Sequence, residues 1–141
     1  MQVLPVGRGR CLTAGTAPVA VLSLGHIGNN VAKAVAAVNA ECAVAVSHYD
    51  MIFLKPIDET ILAEVASKVR CIITVEDGTA TGGLGGAVAE WLTSRGSGVK
   101  LVRLGLKDAF IDQGTVAQQQ HACGIDVESI TQTIKNELSE L

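Results

Sequence analysis

Apolar residues follow two rhythms along this chain. Short runs rich in β-branched residues, Val19-Ala-Val-Leu-Ser-Leu24, Ala43-Val-Ala-Val-Ser-His-Tyr49, Cys71-Ile-Ile-Thr-Val75 and Val99-Lys-Leu-Val-Arg-Leu104, predict buried strands. A short edge strand is expected over Arg10 to Thr13, after a lead-in broken by Pro5, Gly7 and Gly9. Between the strands the spacing becomes helical. Ile27, Val31, Ala34, Val35 and Val38 mark one apolar stripe, and Ile61, Leu62, Val65 and Val69 mark a second. A third helix follows a glycine cluster and runs to about Ser94, a short one starts near Thr115, and the last carries Ile130, Ile134, Leu138 and Leu141. Asp58 and Asp126 stand where N-caps belong, and Lys68 and Arg70 suit a helix C-terminus. The alternation βαβαβαβ followed by helices predicts an α/β fold, a three-layer α/β/α sandwich on a mainly parallel sheet. With 141 residues, no repeat and no linker, residues 1–141 read as one domain.

Composition narrows the function classes. A hydrophobic share of 48% against 18% charge gives a chain with a core to bury, which excludes a disordered one. The net charge of −3 and the lack of a basic stripe argue against nucleic acid. No apolar run reaches a membrane span and no leader pattern opens the chain, so neither membrane nor export is expected, and the chain reads as cytoplasmic. Cys11, Cys42, Cys71 and Cys123 are scattered, as are His26, His48 and His121, and none shows metal-ligand spacing. No metal site is predicted.

The candidate chemistry lies where the third long strand ends. Thr74-Val-Glu-Asp-Gly-Thr-Ala-Thr-Gly-Gly-Leu-Gly-Gly-Ala-Val88 passes from a buried strand through two acids into a glycine-rich helix mouth. Open α/β sheets present ligands at such βα junctions. Backbone N–H groups of Gly82, Gly83 and Gly85 offer a seat for an anion, whether a ligand phosphate or the carboxylate of Glu76 itself, with Asp77 beside it. The plainer role for the glycines is backbone geometry, and the whole stretch is read as an anion-binding or interface loop. A dinucleotide site is excluded, because Gly83-Leu-Gly85 is followed by Val88 where the third glycine belongs. His26 with Asn29 and Asn30, and Tyr49 with Asp50, also fall near strand ends. No nucleophile elbow, zinc-protease motif or Walker loop is present, so no catalytic or cofactor-binding residue is assigned.

Five segments in order carry a resemblance: Leu4-Pro-Val-Gly-Arg-Gly9, Asp50-Met-Ile-Phe-Leu-Lys-Pro-Ile-Asp58, Thr74-Val-Glu-Asp-Gly78, Gly82-Gly-Leu-Gly-Gly-Ala-Val88 and Gly105-Leu-Lys-Asp-Ala-Phe-Ile-Asp-Gln-Gly114. Together they resemble the C-terminal domain of the 1-deoxy-D-xylulose-5-phosphate synthases, in the transketolase superfamily. The resemblance covers nearly the whole chain. It implies a five-stranded mixed sheet whose Arg10 to Thr13 strand runs antiparallel to four parallel neighbours. It also implies a larger enzyme that joins pyruvate to glyceraldehyde 3-phosphate with loss of CO₂, using thiamine diphosphate and Mg²⁺, and that supplies isoprenoid, thiamine and pyridoxol synthesis. The cofactor motifs of such enzymes belong to upstream domains, which are the implied partners, together with a homodimer mate. The C-terminal domain is chiefly structural, so this chain alone is expected to be inactive and to hold no cofactor.

Three positions depart from the family pattern. Ile52 stands where Arg is usual, Asp77 where Glu is usual and Lys107 where Pro is usual. The first removes a fixed cation, so no anion-binding role is carried to position 52. Two other readings remain: the matching domain of a 2-oxoacid dehydrogenase β subunit, and a free-standing α/β module binding an anion or a partner. The Gly105 to Gly114 segment argues against the former.

Overall fold

The computed structural model describes residues 7–79, 83–106 and 116–141. Five strands form one sheet in the order β1-β3-β2-β4-β5. In chain order these are β1 (Arg10–Thr13), β2 (Val19–Leu24), β3 (Ser47–Asp50), β4 (Cys71–Thr79) and β5 (Lys100–Leu106). The helices are α1 (Gly28–Asn39), α2 (Glu59–Lys68), α3 (Leu84–Ser94), α4 (Val116–Ala122) and α5 (Val127–Ser139). β2 pairs in parallel with both β3 and β4, β4 in parallel with β5, and β1 antiparallel with β3. The expected mixed sheet with one antiparallel edge strand is the sheet observed.

β2 is central because its sequence tolerates burial on both faces. Val19 and Val21 enter a core with Val31, Val35, Ile130 and Ile134, which places α1 and α5 on one side. Ala20 and Leu22 enter a second core with Leu62, Val65, Leu84 and Val88, which places α2 and α3 on the other. The strand order turns back across β2: α1 leads to β3 on one side, and α2 then leads to β4 on the opposite side. The crevice between the carboxyl ends of β2 and β4 is therefore the switch point of the sheet, where this architecture presents ligands.

Two strand limits differ from expectation. The run Ala43 to Tyr49 pairs only from Ser47 to Asp50. Ahead of it, the Asn39 amide takes both backbone groups of Val46, at 2.8 and 3.2 Å, and Ala17 N–H donates to Ala45 O. Those backbone groups are spent outside the ladder, and Val44 is exposed. β4 in turn runs past its two acids to Thr79, which pairs with Leu106 beyond a register shift.

The stripe of α5 also differs at its end. Ile130 and Ile134 are fully buried, but Leu141 is exposed and Glu137 is buried instead. Lys100 Nζ donates to both Glu137 oxygens, at 2.8 and 3.1 Å, and to Glu140 at 3.0 Å. The buried Cys71 thiol donates to Glu137 as well, and burial pushes that thiol up to about 12, so it stays protonated and inert. Of the sequence features, residues 1–6, Gly82 and residues 107–115 lie outside the described residues. They include Leu4, the position of Lys107 and most of the Gly105 to Gly114 segment.

Candidate functional site

Glu76 sits at the end of the ladder between β4 and β2, level with Leu24 of β2. Its carboxylate turns into the mouth of α3. Leu84 N–H donates to Oε1 at 2.8 Å and Gly85 N–H donates to Oε2 at 2.9 Å. Only 3% of Glu76 is exposed. Burying a carboxylate this deeply is costly unless its oxygens are matched by donors. The matching donors here are helix N-terminal N–H groups, which also carry the positive end of the helix dipole. Gly83 occupies the N-cap position and supplies no side chain, so the strand provides the cap instead.

Asp77, the next residue, faces the other side of the sheet. Its Oδ2 accepts from Ile27 N–H at 3.2 Å, at the entrance to α1. Gly25 holds a positive φ of 92° in the same turn, and a Cβ there would come within 2.9 Å of Asp77 Oδ2. Consecutive residues of a strand point to opposite faces, so adjacent acids reach helices on opposite sides. The two helix entrances flanking the switch point are thus each occupied by a carboxylate of the chain. A ligand phosphate aimed at the α3 mouth would meet a buried like charge.

Gly85 has a packing role that the seat alone does not explain. A Cβ there would lie 2.8 Å from Arg103 Nε and 3.1 Å from Thr74 Oγ1. The Arg103 side chain thus crosses over the first turn of α3. Thr74 Oγ1 is buried with no hydrogen-bond partner among the described residues.

Of the remaining candidates, the fold brings His26, Asn29 and Asp50 together. With Arg10, Gly25 and Ile52 they line an open cleft of about 420 Å³ at the carboxyl end of β2 and β3. Arg10 and Asp50 form a loose pair across it at 3.5 Å. Asn30 points elsewhere: its Nδ2 donates to Gln120 Oε1 and to Ile125 O, both at 3.1 Å, tying α1 to α4 and the start of α5. Tyr49 belongs to the α2 face and does not join Asp50. Ile52 adopts φ +61°, a genuine outlier for a β-branched residue. Asp50 Oδ1 accepts its N–H at 3.0 Å, and Phe53 N–H donates to Met51 O around it, closing a tight turn.

A buried pair escaped the sequence reading. Ser23 Oγ and His48 Nε2 are 2.7 Å apart, with exposures of 1% and 0%. Burial lowers the imidazole to about 4, partly opposed by the negative charge of Asp50, so the ring is neutral at pH 7. The other ring nitrogen, Nδ1, has no hydrogen-bond partner among the described residues. A hydroxyl next to an imidazole resembles a nucleophile with its base, but among the described residues no third group orients this ring, and both side chains are shut from solvent. The only sequence signal was the alternation that sends His48 and Asp50 to the same face.

Among the described residues no group of three His, Cys, Asp or Glu side chains gathers to hold a metal ion. No helix among them is long and apolar enough to cross a membrane.

Comparison with known proteins agrees with this geometry. The family model described as "Transketolase, C-terminal domain" matches residues 7–130. The chain is 47% identical over 137 residues to a 1-deoxy-D-xylulose-5-phosphate synthase of Parabacteroides distasonis, covering 97% of this chain and 21% of that protein. It is 46% identical to the synthase of Porphyromonas gingivalis, covering 92% of this chain and 20% of that one. The chain thus spans about a fifth of the length of the curated relatives it matches. Among solved structures, a split-gene transketolase described as an inactive beta4 tetramer superposes with a TM-score of 0.85 at 29% identity, over 96% of this chain and 44% of that one. On the family match, the sheet order and the capped strand end taken together, this chain belongs to the transketolase C-terminal domain family.

Proposed function

We propose that this chain is the C-terminal domain of a larger thiamine-diphosphate-dependent 1-deoxy-D-xylulose-5-phosphate synthase. In that reading the whole enzyme condenses pyruvate with glyceraldehyde 3-phosphate, releasing CO₂, in the cytoplasm. This domain's part is to pack against the upstream domains and to help form a homodimer, and residues 1–141 act as one unit. The observation that carries the reading is Glu76 seated on Leu84 and Gly85 N–H. At the place where an α/β domain would receive its ligand, the chain supplies the anion itself. Glu76, Asp77, Gly83 and Gly85 are then structural groups that hold α1 and α3 to the sheet.

The described residues do not fit thiamine diphosphate with its divalent metal. Mg²⁺ takes one or two carboxylates together with phosphate oxygens, and the carboxylates must be free to coordinate. Glu76 and Asp77, the paired acids of this strand end, are both committed to backbone donors. No catalytic step is assigned to this chain.

Titration calorimetry of the purified chain with thiamine diphosphate and Mg²⁺ tests the reading. Heats no larger than dilution are expected, with synthase activity appearing only when the upstream domains are supplied. A dissociation constant near 1 μM, about −8 kcal/mol, would overturn it.

A further inference from the structure

A second cavity lies on the opposite face from the Arg10–Asp50 cleft, where the loop after β1 and strand β3 meet the end of α2. Its volume is about 270 Å³, and its walls include Thr16, Ser47, Tyr49, Val65, Lys68 and Val69. The walls divide by chemistry. Val65 and Val69 form an apolar side, with Val65 fully buried and Val69 packed against the core. Thr16, Ser47 and Tyr49 carry hydroxyls, and Ser47 and Tyr49 are themselves more than nine-tenths buried. Among the described residues Lys68 is the one charged residue lining the cavity, and none of the carboxylates lines it.

Beyond the cavity the formal charges of the lining residues balance. An adjoining groove of about 320 Å³ shares Tyr49 and Lys68 and adds Arg8 and Arg10. Its two carboxylates are already engaged. Asp58 accepts from Gly9, Thr60 and Ile61 N–H at 2.9 to 3.1 Å. Glu64 pairs with Lys68 at 3.1 Å, but both side chains are about half exposed or more, and an exposed pair of this kind is weak enough to yield Lys68 to a better partner.

We propose that this cavity is a binding site for a small organic carboxylate with a short hydrocarbon tail. An apolar wall, a few hydroxyl-bearing residues and a single cation are the features of a preformed small-molecule site. The volume falls just below the roughly 300–1,000 Å³ typical of drug-sized ligands, which excludes a nucleotide and suits a ligand of a few carbons. The tail rests on Val65 and Val69, and the carboxylate meets Lys68 with a hydroxyl of the opposite wall. This site is separate from the Glu76 strand end and does not depend on the domain's place in a larger enzyme.

The test is a nuclear magnetic resonance titration of the ¹⁵N-labelled chain with butyrate at neutral pH. Two variants at exposed positions are titrated in parallel: Lys68→Ala removes the cation, and Thr16→Trp fills the mouth. Saturable shifts confined to amides near Thr16, Ser47 to Tyr49 and Val65 to Val69 are expected. Lys68→Ala should weaken binding about tenfold or more, Thr16→Trp should abolish it, and 1-butanol should bind at least about tenfold more weakly than butyrate. Both variants should keep the dispersed spectrum of the folded chain. Shifts that grow linearly without saturating, or that persist unchanged in both variants, would overturn the proposal.

Discussion

Replacing Glu76 tests the central structural claim directly. In Glu76→Ala the N–H groups of Leu84 and Gly85 lose acceptors held at 2.8 and 2.9 Å in a setting that is only 3% exposed. A buried donor left without a partner costs about 1–3 kcal/mol, so two cost about 2–6 kcal/mol. Removing a buried charge returns part of its desolvation cost, which brings the expected net to about 3 kcal/mol. Glu76→Gln keeps the shape but replaces one acceptor with an amide donor facing an N–H, for an expected loss of about 2 kcal/mol. Against a typical total of about 5–15 kcal/mol these are large fractions. For a chain of this length about 3 kcal/mol corresponds to roughly 10 °C in Tm. Urea denaturation followed by circular dichroism measures both variants, and an unchanged slope would show that the loss lies in stability rather than compactness. If Glu76→Gln and Glu76→Ala both fall within about 0.5 kcal/mol of the parent, the range of an ordinary surface substitution, the cap is not what holds α3 to the sheet.

His48 predicts a pH dependence. Its folded value of about 4 lies below the usual 6.5, so the unfolded chain binds the extra proton between those limits. Stability from this group is fully present above about pH 6.5, falls as the pH drops toward 4, and totals about 3 kcal/mol at most. The fall should be smaller in His48→Gln, and equal slopes in parent and variant between pH 6.5 and 4 would assign it to other groups. Glycine positions should separate by what surrounds them. Gly15→Ala drives a Cβ into Ala45 O, a backbone atom, and should cost more than about 2 kcal/mol, whereas Gly98→Ala meets nothing within 4 Å among the described residues and should be neutral or slightly stabilising. Thermal melts that rank the two equally would contradict this.

The parts of the fold legible in the sequence were those set by local pattern. β2 carries its own signature, and its predicted limits match the strand observed. Asp58 and Asp126 both cap as expected, Asp126 accepting from Ser129 N–H at 3.2 Å, because an N-cap reads only the next three residues. What escaped was set by partners far along the chain. β3 is shortened by Asn39 at the end of α1, and β4 is lengthened past Gly78, an unfavourable strand residue, by pairing with β5. Glu137 reads as a solvent-facing residue until Lys100 and Cys71 surround it. At the strand end, the sequence named the anion seat and two occupants, a ligand or Glu76. Only the rotamer of Glu76 chooses between them.

The attachment of β1 has a kinetic consequence. Among the described residues β3 is its sole sheet neighbour, and a register shift beside Cys11 interrupts even that short ladder. The four parallel strands and the helices on both faces can therefore close before the first strand joins them. Because Arg10 must wait for Asp50, the earliest-made strand of the domain is among the last to dock. Opening should run in the reverse order, with β1 leaving as a local unit at a lower free energy than global unfolding. Tension applied through the N-terminal end of the chain would then be spent on this strand first, leaving the two cores undisturbed.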